Sequence, residues 1–315
     1  NSNLKIKRIG GFKFFRKFRK AYAVNEYLKN NKVKAIFFDH WKSLENIDSE
    51  YLNKNPNFCL IHSKEINHPI GSALNIRMNK AFKKIKFIIA NSKYTRELGV
   101  SLGLDEKKIH IIHPGTNYPI KIHNKDEIKA KKIFDSAFPK IITIARLDKR
   151  KNHQNILMTI KNLIPIYPHI KYICVGEGEE RNNLEILRNE LNIEKQVTFL
   201  SGIDENLKVA LLNECNLFLM PSVIYKKSVE GFGISFIEAG SYGKASIGGI
   251  DGGQVDAISD GISGYLCDGN NLSSIYETII KIFQDEQYKV LGLQAKEFSK
   301  KFNWEKITKQ YLNLI

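Results

Sequence analysis

At 315 residues the chain has the length of about two domains, and its 43% hydrophobic and 10% aromatic content can build packed cores. It has no run of ~18 apolar residues to span a bilayer and no apolar segment behind a basic start. Cys59, Cys174, Cys215 and Cys267 lack the paired spacing of a zinc site or disulfide framework, so the expectation is four reduced thiols in a cytoplasmic protein. The net charge of +16 is concentrated at one end, where residues 1–34 carry eleven Lys or Arg against Glu26 alone.

In chain order, residues 11–29 place Phe14, Phe15, Phe18, Tyr22 and Leu28 near helical spacing with Lys and Arg between them. Two readings stay open. The aromatics pack on a sheet while the charges are solvated, or the helix lies on an anionic membrane surface, giving a peripheral position on the inner face. Nucleic acid is not expected, because no nucleic-acid module accompanies the charge. Apolar runs at 33–39, 57–62, 86–90 and 108–112 read as buried parallel strands, with helices over 72–84 and from the Asn91-Ser92 cap to about Leu102. Residues 116–139, polar and Lys-rich between Pro119 and Pro139, read as a break between domains.

The alternation then restarts, with strands at 140–145, 171–175, 196–200, 217–220 and 245–247. Helices fall near 153–165, 180–191, 205–213, 234–242 and 271–284. Five strand–helix units predict a doubly wound domain, whose ligands sit outside the carboxyl ends of the strands. The segments after those ends are Arg146-Leu-Asp-Lys-Arg-Lys151, Gly176-Glu-Gly178, Gly202-Ile203, the stretch leading to Glu230, and Gly248 to Gly253.

Within that stretch, Glu230 and Glu238 bracket a Gly231-Phe232-Gly233 turn that opens onto Ile234, Phe236 and Ile237. A glycine turn at a helix start leaves amides unpaired and favours an anion. Carboxylates repel that anion but accept hydrogen bonds from hydroxyls on either side of it, as in a sugar–diphosphate–ribose ligand. Arg146 and Lys151 supply cations for the diphosphate, and with no Asp-x-Asp pair neither a metal nor a cofactor is expected. His62, at a strand end of the first domain, is a candidate cleft histidine. Asp39-His40-Trp41 occupies the preceding strand end, while His68, His113 and His153 share no ligand-like spacing with these.

These motifs resemble family 4 glycosyltransferases of the GT-B fold. The resemblance rests on Ala145–Lys151, Val175-Gly-Glu-Gly178, Glu230-Gly-Phe-Gly-Ile-Ser-Phe-Ile-Glu238, Asp260-Gly-Ile-Ser-Gly264 and Phe302-Asn-Trp-Glu305. Ile89–Thr95 and Ile112–Thr116 in the first domain add to it. It implies an α/β protein of two Rossmann-like domains: 1–132 on the acceptor side, 133–300 binding a nucleotide sugar, and a helix in 301–315 packing back on the first. The family's amino-terminal strand and glycine-rich loop have no counterpart here, so the first domain is expected to lack its first strand–loop unit.

The implied activity is retaining, metal-independent hexosyl transfer from a nucleotide-sugar donor to a glycan, lipid-linked or phosphorylated acceptor, in cell-envelope glycan or glycolipid synthesis. Carried over, Arg146 and Lys151 bind the diphosphate and Glu238 the ribose. Glu230 holds sugar hydroxyls, the 231–234 amides contact sugar and phosphate, and Gly202-Ile203 lies by the base; Gly176, in a tight turn that lets a ligand approach closely, is counted with the donor-binding residues. His62 falls where the family has its cleft histidine. The catalytic set is therefore expected to be Glu230, His62, Arg146 and Lys151. The family's Lys-Gly is Lys151-Asn152 here, and its Gly-Gly-x-x-Glu is Gly252-Gly-Gln-Val-Asp256. The competing readings are a GT-B sugar-nucleotide epimerase and a non-catalytic nucleotide-sugar or membrane-binding module.

Overall fold

The computed structural model describes residues 5–315, so Lys5 and the basic residues after it are included. The chain divides into two compact units, 1–112 with 311–315, and 113–310.

The first unit is built on four parallel strands, β1 (Ile36–Phe38), β2 (Asn57–Ile61), β3 (Phe87–Ala90) and β4 (Ile109–Ile111), paired in chain order. The apolar runs form strands because both faces are covered, and Phe58, Cys59, Ile61, Ile88 and Ile89 are buried. On one face Phe37, Phe58 and Phe87 stack across β1, β2 and β3, and Tyr311 meets Phe37 and Phe58 edge-on. Helices Ala73–Lys83 and Lys93–Ser101 begin at Ser72 and Ser92, whose side chains accept from the amides three residues on, as the Asn91-Ser92 signal predicts.

The helix Arg16–Asn30 overturns the reading in which the aromatics pack on a sheet. Its inward stripe is Ala21 and Val24, which join the core, with Leu28 half-buried on the next turn. Phe14, Phe15, Phe18 and Tyr22 are exposed. The small residue at position 21, not the rings, meets the core.

The second unit is a six-stranded parallel sheet. It contains β5 (Lys140–Ile144), β6 (Lys171–Val175), β7 (Val197–Leu200), β8 (Leu217–Met220), β9 (Ala245–Gly249) and β10 (Gly264–Cys267), in the order β10-β9-β8-β5-β6-β7. The chain runs outward from β5 to β7, returns to the other side of β5, and continues to β10. The crevice where the order reverses lies between β5 and β8. Five strands are predicted and six are present. Gly264–Cys267 escapes detection because it is only four residues long and two of them are half-buried.

The expected break at 116–139 is not a linker. It contains the helix Asn124–Phe134, which belongs to the second unit and buries Ala130 and Phe134 beside Ala210 and Leu211. Its outer face is charged and even Ile128 is exposed, so few inward residues reveal it. The second unit accordingly begins at His113, twenty residues ahead of the expected 133. Two further helices, Gln287–Ser299 and Trp304–Leu312, close the chain; the second spans the division, with Tyr311 onward in the first unit.

Candidate functional site

All six strands of the second unit are parallel, so the segments after their carboxyl ends share one rim. The two beside the reversal are those after β5 and β8. After β5 the chain forms a short 3-10 turn, Lys149–Lys151, capped by Asp148, whose carboxylate accepts from the Lys151 amide at 3.1 Å. The turn drives Arg150 and Lys151 inward, both only 7% exposed, while Arg146 points out and pairs with Asp148 at 3.2 Å.

After β8 the chain leads to Glu230, whose side chain is 12% exposed. Its carboxylate accepts from Arg150 Nη1 at 2.6 Å and from Lys151 Nζ. The crevice is thus closed by one buried carboxylate between two buried cations. Burial alone would raise the carboxyl's pKa, but Lys151 and Arg150 outweigh it and hold Glu230 below the usual carboxylate range. Burial is also the largest influence on Lys151 and lowers its pKa, against the opposing pull of Glu230. Each of these opposing influences comes from the same close contact, a buried carboxylate set between two basic side chains.

Sequence reasoning pairs Lys151 with Arg146 as two fixed cations. In the structure the second cation on Glu230 beside Lys151 is Arg150, while Arg146 lies exposed at the rim. A five-residue spacing between basic residues cannot show which of them turns inward; the Asp148 cap, legible as an aspartate three residues before Lys151, is the signal that could have done so. Lys151 Nζ also contacts Met220 Sδ at 3.2 Å, which leaves the third ammonium proton for a ligand. Two buried polar atoms of this rim, Arg150 Nε and Ser222 Oγ, have no protein partner among the described residues.

The predicted turn is present. Gly233 has φ 90° and stands immediately before the helix Ile234–Ser241, where a Cβ would collide with the Phe236 ring. None of the amides from Gly231 to Ile234 donates to a protein acceptor among the described residues. Phe232 anchors the turn: its ring is buried against His113 at 5.0 Å and Phe302 at 5.5 Å between centroids. Only its backbone is placed to face a ligand.

Glu238, one turn into the helix, pairs with Lys208 Nζ at 3.2 Å. Here burial prevails over Lys208, and the carboxyl's pKa is raised. The two glutamates of the motif therefore differ in kind, one held ionised by two cations and the other poised by desolvation beside one.

The neighbouring loops are locked to each other by backbone contacts. A Cβ on Gly176 would overlap the Ala145 carbonyl, and the Leu147 amide donates to the Glu177 carbonyl at 2.9 Å. The close approach Gly176 permits is thus to the chain's own Arg146 loop. His153 is buried behind that loop, with Nε2 at 3.2 Å from the Arg146 carbonyl and Nδ1 at 3.3 Å from the Tyr172 hydroxyl; burial lowers its pKa to about 4, so the imidazole is neutral. Asn152 adopts the left-handed conformation, φ 61°, which explains an asparagine where the resembled family has glycine. Its amide donates to the carbonyls of Pro221 and Gly269 at 3.1 and 2.6 Å. Gln254 ties the loop after β9 to Ser222, Gly249 and Asp251. Gly202, φ 62°, is exposed, with Ile203 half-buried beside it.

In the first unit His62 directly follows β2 and is exposed, and its amide donates to Glu65 Oε1 at 2.5 Å. His40 Nδ1 accepts from the Lys42 amide at 3.1 Å and its pKa is lowered mainly by burial, so it caps the turn around the fully buried Trp41. Among the described residues no group of three or more His, Cys, Asp or Glu could hold a metal ion, and no helix is long and apolar enough to cross a membrane.

With this geometry in hand, the comparisons with known proteins agree on family and fold. The family described as Glycosyl transferases group 1 matches residues 124–300. The uncharacterized glycosyltransferase MJ1069 of Methanocaldococcus jannaschii is 27% identical over 288 residues, covering 90% of this chain and 68% of that protein. A GDP-mannose-dependent monoacylated alpha-(1-6)-phosphatidylinositol monomannoside mannosyltransferase of Corynebacterium glutamicum is 24% identical over 53% of this chain and 44% of its own length. The crystal structure of Anabaena Alr3699/HepE in complex with UDP and glucose superposes with a TM-score of 0.76 at 19% identity, covering 95% of this chain and 80% of that one. That likeness establishes the architecture of two Rossmann-like domains. The chain belongs to the group 1 glycosyl transferases and is a glycosyltransferase of the GT-B fold.

Proposed function

We propose that this glycosyltransferase moves a hexose from a nucleotide-sugar donor to an acceptor hydroxyl, with retention of anomeric configuration and without a metal ion. The observation that carries the reading is the Glu230 carboxylate clamped by Arg150 and Lys151, beside a turn whose amides have no protein acceptor. A diphosphate entering this crevice would take the free Lys151 proton and the 231–234 amides, and Arg146, exposed and tethered only by Asp148, would swing onto it. Glu230, held ionised, accepts hydrogen bonds from sugar hydroxyls, and Glu238 accepts them from the ribose. Gly202 and Ile203 lie towards the base. The Anabaena complex with UDP and glucose supports a nucleotide sugar as ligand class.

The step we infer is front-face transfer. The glycosidic bond to the diphosphate breaks as the acceptor oxygen bonds the same face of the anomeric carbon, and the departing diphosphate oxygen accepts the acceptor's proton. Arg146, Lys151 and the turn amides stabilise the charge that develops there. The second unit is the donor-binding half and the first, with His62, the acceptor-side half. The exposed aromatics among the cations of Arg16–Asn30 support an anionic membrane surface as the place of work, and the Corynebacterium relative's phosphatidylinositol mannoside supports a glycolipid acceptor in the cell envelope.

The test is a thermal-shift screen of nucleotide sugars, because a ligand at 100 times its Kd stabilises by about 2.7 kcal/mol. Turnover of the best donor by the parent chain and by Lys151→Ala follows. Loss of both transfer and donor hydrolysis in the variant is expected; near-normal turnover would sink the assignment. Donor consumption to an epimer with no acceptor present would favour the epimerase reading.

A further inference from the structure

We infer that the first unit carries a second anion site, a pocket for a phosphate group whose occupant is the headgroup of an anionic lipid. This deepens the membrane reading above and rests on it for the source of the phosphate. The pocket is a cavity of about 380 Å³ lined by Lys17, Glu45, Asn46, Arg77, Lys80 and Lys84, together with Ala81. Its volume is at the lower end of the range of small-ligand sites, which fits a headgroup.

Its charge is unbalanced by design of the fold. The one carboxylate, Glu45, is consumed by Arg77 in a two-pronged pair, Nε to Oε1 at 3.0 Å and Nη2 to Oε2 at 2.9 Å. Lys84 Nζ donates to the carbonyls of Glu45 and Ile47 at 3.0 and 3.2 Å, which orients its charge without neutralising it. Neither Lys17, Lys80 nor Lys84 has a carboxylate within 4.0 Å among the described residues. Three ammonium groups around one cavity repel each other until an anion enters, and a phosphate presents several acceptor oxygens to such a ring.

The source is indicated by what surrounds Lys17. Phe14 and Phe15, in the short turn that leads into the helix, and Phe18 in its first turn are 80%, 55% and 48% exposed, and Lys17 Nζ lies over the Phe18 ring at 4.8 Å. Aromatic rings settle at the interfacial depth of a bilayer while cations meet the phosphate layer. A soluble phosphate ester would account for the cations and leave those rings in water.

The experiment is co-sedimentation of the full chain with phosphatidylcholine vesicles, with and without phosphatidylglycerol. The variants are Lys17→Ala/Lys80→Ala, both exposed side chains, and Lys29→Ala/Lys32→Ala as a charge-matched control. Lys29 lies about 18 Å along the helix from Lys17, beyond the ~8 Å screening length at physiological salt. Binding that requires phosphatidylglycerol is expected, weakened roughly 20-fold in the pocket variant and less than about threefold in the control, given about fivefold per cation at the surface. Equal weakening of both variants, or unchanged binding by the pocket variant, overturns the pocket while leaving the membrane reading standing. Calorimetry with glycerol 3-phosphate separates the sources. If the chain ignores vesicles yet binds this ester through Lys17 and Lys80, the lipid assignment and the membrane reading both fall and a phosphate site remains. If it binds neither, the site itself is refuted.

Discussion

Acidification offers a direct measure of how the donor-side loop is held. His153 is buried behind the Arg146 loop, and its imidazole binds a proton at about 4 in the folded chain against 6.5 when free. The folded state therefore resists protonation, and the stability this implies is fully present above 6.5 and lost as pH falls from there towards 4. Between pH 8 and pH 5 the loss attributable to this residue is about 2 kcal/mol, approaching about 3.4 kcal/mol at the acid limit. The assay is urea unfolding of the parent chain and His153→Gln at both pH values, followed by circular dichroism. The glutamine variant starts less stable, because the contact with the Arg146 carbonyl is weakened, but it should lose about 2 kcal/mol less on acidification. Taking the difference between the two proteins cancels other acid-sensitive groups, including His40 and Glu230. Parallel losses in the two proteins would refute a neutral, buried His153 as the brace of the loop.

Three other outcomes follow from the site. Glu238→Gln removes a carboxylate whose burial already penalises its charge, so calorimetry should find nucleotide affinity at least about tenfold weaker while unfolding stability holds or rises; unchanged affinity counts against the ribose role. Gly176→Ala places a methyl on the Ala145 carbonyl at a φ of 154°, and should cost about 1–3 kcal/mol in urea and weaken donor binding with it; a wild-type unfolding midpoint would show that the two loops are not packed as described. Asn152→Gly relieves a left-handed side chain but loses two hydrogen bonds, for a net loss of about 1 kcal/mol in thermal unfolding, and a more stable variant would mean that those bonds contribute little.

Much of this site is written locally, and local physics explains why. Glycine at 231 and 233 ahead of an apolar helix start, and strands whose residues are buried on both faces, are signals carried by a few consecutive residues. The Glu230 turn, the helix it opens and nine of the ten strands could accordingly be read from the chain alone. The helix Asn124–Phe134 could not, because its inward face is Ala130 and Phe134 among lysines and its identity depends on Ala210 and Leu211, eighty residues away. The aromatic helix could not either: spacing alone does not say whether Ala21 or Phe18 faces the core.

What the sequence by itself determined is the family, the alternation of strands and helices, and the presence of two carboxylates around an anion turn. What only the tertiary structure decided is which charges meet. Asp148 turns Arg150 and Lys151 inward onto Glu230 and leaves Arg146 in water, while Lys208 finds Glu238 across a helix pair. Ion pairing and desolvation depend on distances between residues about thirty to eighty apart in the chain, and no pattern of neighbouring letters contains those distances.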